Sequence, residues 1–540
     1  MIFDLFQAHL TESGVSDPTV SISILVLGFL IFNLVVLVTY LTIIYPYLYS
    51  PFRHLPRPKG EIPLVGQATA PYTKPLGSAY LKWMNTVPNS GIIAYRSIFN
   101  QDRLLLTSPK AIAEVLVHNT YAYTKHPAER SVIGRFLGDG LTISEGDAHK
   151  LQRKLLTPVY SGKNVKGFYG LFWQKAVELV DCLEKQLLVH TNARGVEEIG
   201  QWATRTAMDI IGLASIGKDF DCFNGDGTNS ALFKAYQEIF TWALEKDVFM
   251  AMNRVLPRTL VSWLPWWVNE RIDVTSAALR NACEGLVMEK MEQFNRSGGQ
   301  GDDLLSIMMR GGGWDFEGLV EQLLTIIAAG HETSASAFTW TVHLLTTHKA
   351  AQERLRSELR TVIPTLLSRD QQPSAEALSQ TLEPLPYLTA VVNESLRLSP
   401  PVPLIRRVSK HSTTLLNHPI AANTQVLISP YAINRSQELW GPNAEVFKPE
   451  RWLDPDTGKV NNHGGAVNNY ANLTFSHGRR SCIGQGFARA ELRTLIAVFV
   501  TKFTFGMADP WESVVPVGIV SVRPRGGLRI KIDKVENTYS

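Results

Sequence analysis

The sequence predicts a mainly α-helical protein with a small β-rich part toward its N-terminal side, preceded by one membrane-spanning helix. Three observations carry this expectation. A long apolar stretch without charge lies near the N-terminus. Short β-like runs, such as Gly91–Tyr95 and Arg103–Thr107, follow it. From about Lys110 onward, apolar residues recur with the helical period.

No charged residue occurs between Asp17 and Arg53, and Ile22 to Tyr45 is almost wholly apolar. About 20 such residues cross a bilayer core as a helix. The run exceeds the roughly 7–15 residues of a signal-peptide core and no basic segment precedes it, which argues against a cleaved signal. Asp4, Glu12 and Asp17 lie before it, and Arg53, Arg57 and Lys59 after it. The positive-inside rule then puts the bulk of the chain in the cytosol. The expected divisions are a short lumenal tail (1–21), an anchor (22–45), a proline-rich hinge (46–60) and one large domain (61–540). Pro51, Pro56 and Pro58 make the hinge either a plain linker or a stiff spacer that sets an angle to the membrane.

Within the large domain, His149 and Arg153 stand four apart on one face of a helix, either a solvated basic face or a contact for an anion. Farther on, Trp263, Trp266 and Trp267 surround Pro265 in an apolar stretch, as ordinary core or as a lid at a membrane interface. The pattern from Leu319 to Thr347 is one long helix, yet its apolar centre is broken by Gly330, His331, Glu332, Thr333 and Ser334. A mid-helix glycine costs about 1 kcal/mol, and buried polar groups cost more unless satisfied, so a function is expected there. His331-Glu332 begins like the zinc motif H-E-x-x-H, but Ala335 occupies the second histidine's place and excludes it. His331 reads as a satisfied helix histidine. Thr333 either serves chemistry or bonds a backbone carbonyl and bends the helix. Glu394 and Arg397 lie three apart on a further helix.

Composition removes several function classes. With 53 basic and 49 acidic residues the formal charge is +4, too small for a bulk attraction to nucleic acid. Four cysteines without a C-x-x-C pair argue against a disulfide framework or zinc knuckle. GDGTNS at Gly225 lacks the third glycine of a dinucleotide fingerprint.

The chemistry concentrates in Phe475–Gly486, FSHGRRSCIGQG. Gly478 permits a turn and Gly484 the close approach of a flat ligand. Cys482 stands before a helical run, where free N–H groups and the helix dipole favour a thiolate. Arg479 and Arg480 can meet an anion, and Phe475 can cover one side of a ring. These features describe a seat for haem with sulfur as axial ligand.

Phe475, Gly478, Arg480, Cys482 and Gly484 fill F-x-x-G-x-R-x-C-x-G, which resembles the haem-binding signature of cytochrome P-450 monooxygenases. Gly330-His331-Glu332-Thr333-Ser334 resembles the family's oxygen-activation motif. The resemblance implies Cys482 as ligand of haem b, and Thr333 and Glu332 as the catalytic pair that organises proton delivery. It implies that His149, Arg153 and Arg407 contact the haem propionates, with Arg406 as the alternative to Arg407. Glu394, Arg397 and Arg451 become a structural lock, with Trp452 where phenylalanine is usual. Val402–Ile405 and Val515–Ile519 become walls of a pocket for a lipophilic small molecule.

The same resemblance implies O2 as co-substrate and electrons from NADPH through NADPH–cytochrome P-450 reductase, with cytochrome b5 as a further donor. It implies a single-pass protein of the endoplasmic reticulum membrane whose catalytic domain faces the cytosol, like fungal secondary-metabolism members acting on terpenoids or polyketides. The alternatives are a haem-thiolate isomerase or dehydratase that needs no external electrons, and a non-catalytic membrane-anchored haem sensor.

Overall fold

The computed structural model describes residues 18–189, 195–223, 231–241, 243–256, 258–264, 266–367, 372–518 and 520–535. GDGTNS (225–230), Pro265 and Ile519 lie outside them. The described residues begin with helix α1 (Pro18–Thr39), continued without a break by a π-wound segment, Tyr40–Tyr49, and residues 1–17 of the expected lumenal tail lie outside them. Its apolar part, Ile22–Tyr49, is 28 residues long, enough to cross a membrane, and reaches past residue 45.

One five-stranded sheet follows the short β-like runs. Strands β1 (Ile92–Arg96) and β2 (Asp102–Leu106) form a hairpin at the expected place, joined by β3 (Tyr123–Thr124), β4 (Ile405–Ser409) and β5 (Gln425–Ile428) in the order β1-β2-β5-β4-β3. The β2–β5 pair is parallel, with Leu104 opposite Val426, and the other pairs are antiparallel. Strand β1 is buried along its whole length, and its Val/Ile/Leu-rich neighbours close a core of their own with Phe52 and Leu55.

The rest of the described chain is mainly helical, with a three-stranded antiparallel sheet of Val196–Glu198, Arg529–Lys534 and Phe503–Met507 and two small two-stranded pairs, Thr413–Leu415 with His418–Ile420 and Pro516–Val517 with Arg523–Pro524. The helices that place the site are α2 (Pro127–Leu137), α3 (Gly146–Leu156), α4 (Ile199–Ile216), α5 (Trp267–Arg296), α6 (Phe316–Thr347), α7 (Pro386–Leu398) and α8 (Gln485–Lys502). Helix α6 is capped by Asp315, whose carboxylate accepts the Gly318 N–H at 2.8 Å, and runs through the largest core. Being apolar on all sides is what buries it. It crosses α4 at Gly330, where a Cβ would lie 2.5 Å from the Ile211 side chain.

The wall between α7 and the loop carrying Cys482 is tied by Glu394. Its fully buried carboxylate accepts from Arg397 Nε and Nη2 (2.8 and 2.7 Å), Arg451 Nε (2.9 Å), the Lys448 N–H (3.0 Å) and Trp452 Nε1 (3.0 Å).

Candidate active site

Cys482 sits three residues ahead of α8, in a loop closed by its own N–H donating to Phe475 O at 2.9 Å. Gly478 turns that loop with φ of +74°, and a Cβ there would lie 2.1 Å from Leu116 O, so only glycine fits. Gly484 is different. Its φ is an ordinary −85°, and a Cβ would meet only the Tyr160 ring, at 3.8 Å. Protein packing does not demand a glycine there, which leaves the space beside the sulfur as its reason. Phe475 packs under the Arg489 guanidinium, 5.2 Å from its centroid.

The expectation that the protein alone favours a thiolate is corrected. Burial pushes the Cys482 pKa up and outweighs the Gly484 N–H and the nearby Arg153 that favour the anion. A metal cation bound there would favour the deprotonated sulfur, so the raised pKa of the free thiol is compatible with a metal ligand.

Two further observations test whether haem suits this chain. Cys482 is exposed although protein surrounds it, and Ala329 is exposed in the middle of the otherwise buried α6, with Gly330 and Thr333 half-exposed beside it. The two elements are in contact, Ser334 Oγ donating to Glu491 Oε2 at 2.5 Å. Bared small residues on one and a bared thiol on the other are what the two walls of a cleft for a flat group present.

The second observation is electrostatic. Lys125, His149, Arg407 and Arg480 gather around Glu145, with Arg153 beside His149 and Glu129 the other carboxylate acting on Arg407. Burial, aggravated by Arg480, Arg407 and Arg130, lowers Lys125 to about 7 against the help of Glu145. Burial, then Lys125 and Arg480, lowers His149 to about 4, so this imidazole is neutral. Burial and Arg480 lower even Arg407 to about 10. Arg480 ion-pairs with Glu145, yet its Nε and Nη1 find no acceptor among the described residues. Such a surfeit of buried cations wants anions, and two carboxylates on one flat ring would relieve it. The residues present fit haem.

Each expected residue can now be placed. His149 and Arg153 share a face of α3; His149 Nδ1 lies 3.1 Å from the Tyr121 hydroxyl, and Arg153 Nη1 donates to Ser481 O at 2.6 Å. Arg406 is paired with Glu129 at 2.6 Å, whereas Arg407 lies in the cationic cluster with Arg480 and Glu145. Arg479 stays at the surface, so of the two adjacent arginines only Arg480 meets the site.

On helix α6, packing and local hydrogen bonds account for part of the motif. The small residue at Gly330 is required by Ile211 of α4, and it is Ala329 that is open. Glu332 is buried and held by Arg523 at Oε2 and Ser521 Oγ at Oε1. Thr333 Oγ1 donates to Ala329 O at 2.7 Å, the backbone-bonding alternative. His331 is a satisfied core histidine: Nδ1 meets Ile327 O at 2.7 Å and the ring lies against Tyr236 and Phe240.

Sequence reasoning did not single out Lys125, Glu145, Arg523 or Glu491. Only Glu491 carried a signal, a carboxylate in the apolar stripe of a core helix.

An apolar cleft is lined by Val132, Phe136, Ile239, Phe240, Met250 and Val520. The stretches expected to wall the pocket meet in a second cleft that shares Met250 and Val520 with the first. Besides Pro403, Leu404 and Gly518, this second cleft contains Lys74, Asp247 and Arg406, and is mixed rather than apolar. Of the tryptophans, Trp266 packs on Phe249 (centroids 5.8 Å apart), whereas Trp263 is 87% exposed.

A family model described as Cytochrome P450 matches residues 56–527. Among curated proteins the chain is similar to Cytochrome P450 monooxygenase ptmK of Penicillium ochrochloron, 36% identical over 498 residues, covering 91% of this chain and 96% of the relative. It is 38% identical over 503 residues to Cytochrome P450 monooxygenase sphH of Aspergillus fumigatus, covering 92% and 91%.

Proposed function

Because the chain belongs to the cytochrome P450 family and is a monooxygenase of that family, we propose that it inserts one oxygen atom of O2 into a lipophilic secondary metabolite, such as a terpenoid or polyketide. Electrons come from NADPH through a separate reductase, and α1 anchors the enzyme in the endoplasmic reticulum membrane with its catalytic domain in the cytosol. The observation that carries this reading is the bared Cys482 thiol beside a cationic cluster in which Glu145 leaves Arg480 Nε and Nη1 without an acceptor among the described residues.

Haem bound here supplies O2 activation and the oxidising power for attack on carbon. Cys482 Sγ would hold the iron, Gly484 keeps its neighbourhood free of side chains, and Phe475 packs against Arg489. Arg480, Arg407, Arg153, Lys125 and the neutral His149 would meet the propionates. Ala329 would leave room for the ring. Thr333 offers its hydroxyl on the open side of α6, and to give a proton there it must share or leave its bond to Ala329 O. Glu332 holds the turn 521–523 against α6 through Ser521 and Arg523, and passes protons only when that ion pair loosens. The apolar cleft selects a lipophilic substrate.

Reductase docking falls to exposed Lys150, Lys154, Lys163, Lys166 and Arg479, a basic surface around the Cys482 loop. The test is Cys482→Ala in the full-length protein. It should abolish the red-shifted carbon monoxide band that thiolate ligation gives and all NADPH-dependent gain of one oxygen in product mass. An unchanged band refutes the ligand.

A further inference from the structure

The proline-rich segment after the anchor is not a free linker. Phe52 and Leu55 are buried in the core of the sheet, Ser50 Oγ donates to Asp102, and Arg57 meets the same carboxylate at 2.8 Å. The anchor's own end is gripped as well. The Pro46 carbonyl has no donor left in its segment, since the Ser50 N–H goes to Tyr45 O and the next candidate, Pro51, has no N–H. Arg96, at the end of β1, supplies the missing donor: Nη2 to Pro46 O at 3.0 Å, in a buried bond. Its guanidinium also lies 3.8 Å above the Tyr47 ring, and Glu61 holds it from behind at 3.1 Å.

One turn earlier, buried Asn100 donates from Nδ2 to Thr42 O at 2.7 Å. To present that side chain, the β1–β2 turn puts Phe99 and Asn100 consecutively in left-handed backbone, φ +57° and +55°. Such a conformation is maintained only where surrounding contacts hold it.

The same turn bares an apolar patch. Phe99, Ile62, Leu64 and Val65 are exposed by 50, 57, 45 and 40%, and the Phe99 N–H donates to Leu64 O, so the patch is continuous and borders the anchor. The apolar helix is 28 residues long, about 40 Å, against a hydrocarbon core of about 30 Å. Its last turns, with Tyr40, Tyr45, Tyr47 and Tyr49, therefore fall at headgroup depth, where tyrosine is favoured.

We propose that Arg96 and Asn100 clamp the domain rigidly to the end of its anchor, seating the patch of Ile62, Leu64, Val65 and Phe99 in the headgroup layer of the same bilayer. The occupant of the patch is lipid, because the patch continues the surface of a helix that is itself in lipid. This rests on the reading of Ile22–Tyr49 as a membrane anchor.

The experiment uses the full-length holoenzyme in phosphatidylcholine vesicles, with a genetically encoded fluorescent amino acid at position 99 and lipids brominated near the top of their chains. Quenching of the label, relieved severalfold by Tyr47→Ala, supports the clamp. That variant lies on the anchor side and leaves the domain's own packing intact, and Arg96→Gln, checked for a native carbon monoxide band, should act alike. Equal quenching with and without Tyr47 overturns the clamp. An unquenched label on protein that resists carbonate extraction overturns the seating while the anchor stands. Extraction by carbonate removes the anchor reading, and the proposal with it.

Discussion

Replacing Glu394 should be among the most damaging single changes outside the catalytic cleft. The carboxylate is fully buried and receives five hydrogen bonds, four from side chains and one from Lys448 N–H. Arg397, equally buried, also donates to Asn434 O and Ala444 O, at 2.6 and 2.5 Å, so it cannot swing out to water when its partner is lost. Glu394→Ala therefore strands one guanidinium in the interior and a second, Arg451, at its edge. Summing five charge-assisted bonds at about 1.5–3 kcal/mol each would overshoot, because the bonds share one charge. The measured cost of breaking a buried pair is about 3–5 kcal/mol, and that is the expected loss.

Urea unfolding followed by tryptophan emission reads it directly, and the exposed Arg296–Glu292 pair is the control, where Glu292→Ala should cost less than about 1 kcal/mol. Should Glu394→Ala not fold, Trp452→Phe keeps the carboxylate and removes one donor, for about 1–3 kcal/mol. Burial alone would raise the Glu394 pKa, but Arg397 and Arg451 together hold it below the ordinary value. The stability is thus present above the unfolded pKa of about 4.3 and lost as pH falls through the folded one. Losses no larger than those at Glu292, or a lock indifferent to acid, would refute the reasoning.

Thr333→Ala should keep a normal haem spectrum while diverting NADPH electrons to peroxide, with Thr333→Ser restoring coupling; product per NADPH equal to wild type would reduce the hydroxyl to a backbone brace. Arg480→Met should speed haem loss to an acceptor protein by about 10- to 100-fold, the worth of a charge-assisted bond, and an unchanged rate would remove Arg480 from the propionate site. Glu491 is the opposite of Glu394: buried with only the Ser334 hydroxyl for company, its pKa is raised to about 8. Stability should therefore fall as pH rises from about 4.3 to about 8, and Glu491→Gln should flatten that slope and be the more stable protein at pH 9. Parallel pH profiles for the two proteins would contradict it.

What was legible in the sequence was whatever is local. Strands β1 and β2 lie within a residue of the short β-like runs that announced them, and Glu394 and Arg397 meet because three positions make a helical neighbour. The cysteine loop could be drawn from ten consecutive residues. Contacts between distant segments left no such mark. The parallel pairing of Leu104 with Val426 and the pairing of Arg406, but not Arg407, with Glu129 depend on how the sheet closes. The hinge reads as proline-rich and therefore extended, and nothing local says that Phe52 and Leu55 will be swallowed by the core behind β1.

The acid–alcohol pair of α6 shows where local reading stops short of mechanism. Glu332 and Thr333 are adjacent and unmistakable as a motif, but Arg523, which holds Glu332, is 191 positions away. The carboxylate therefore begins as half of an ion pair that staples the 521–523 turn to α6, and Thr333 begins as a donor to its own helix. Arg523 retains 31% of its side-chain exposure against 3% for Glu332, so water already screens one side of the pair. Opening it costs less than opening the dry Glu394–Arg397 pair, whose partners are both fully buried. Of these two acid–arginine pairs the lock is the drier, and the proposed passage of protons through Glu332 requires only the wetter pair on α6 to open.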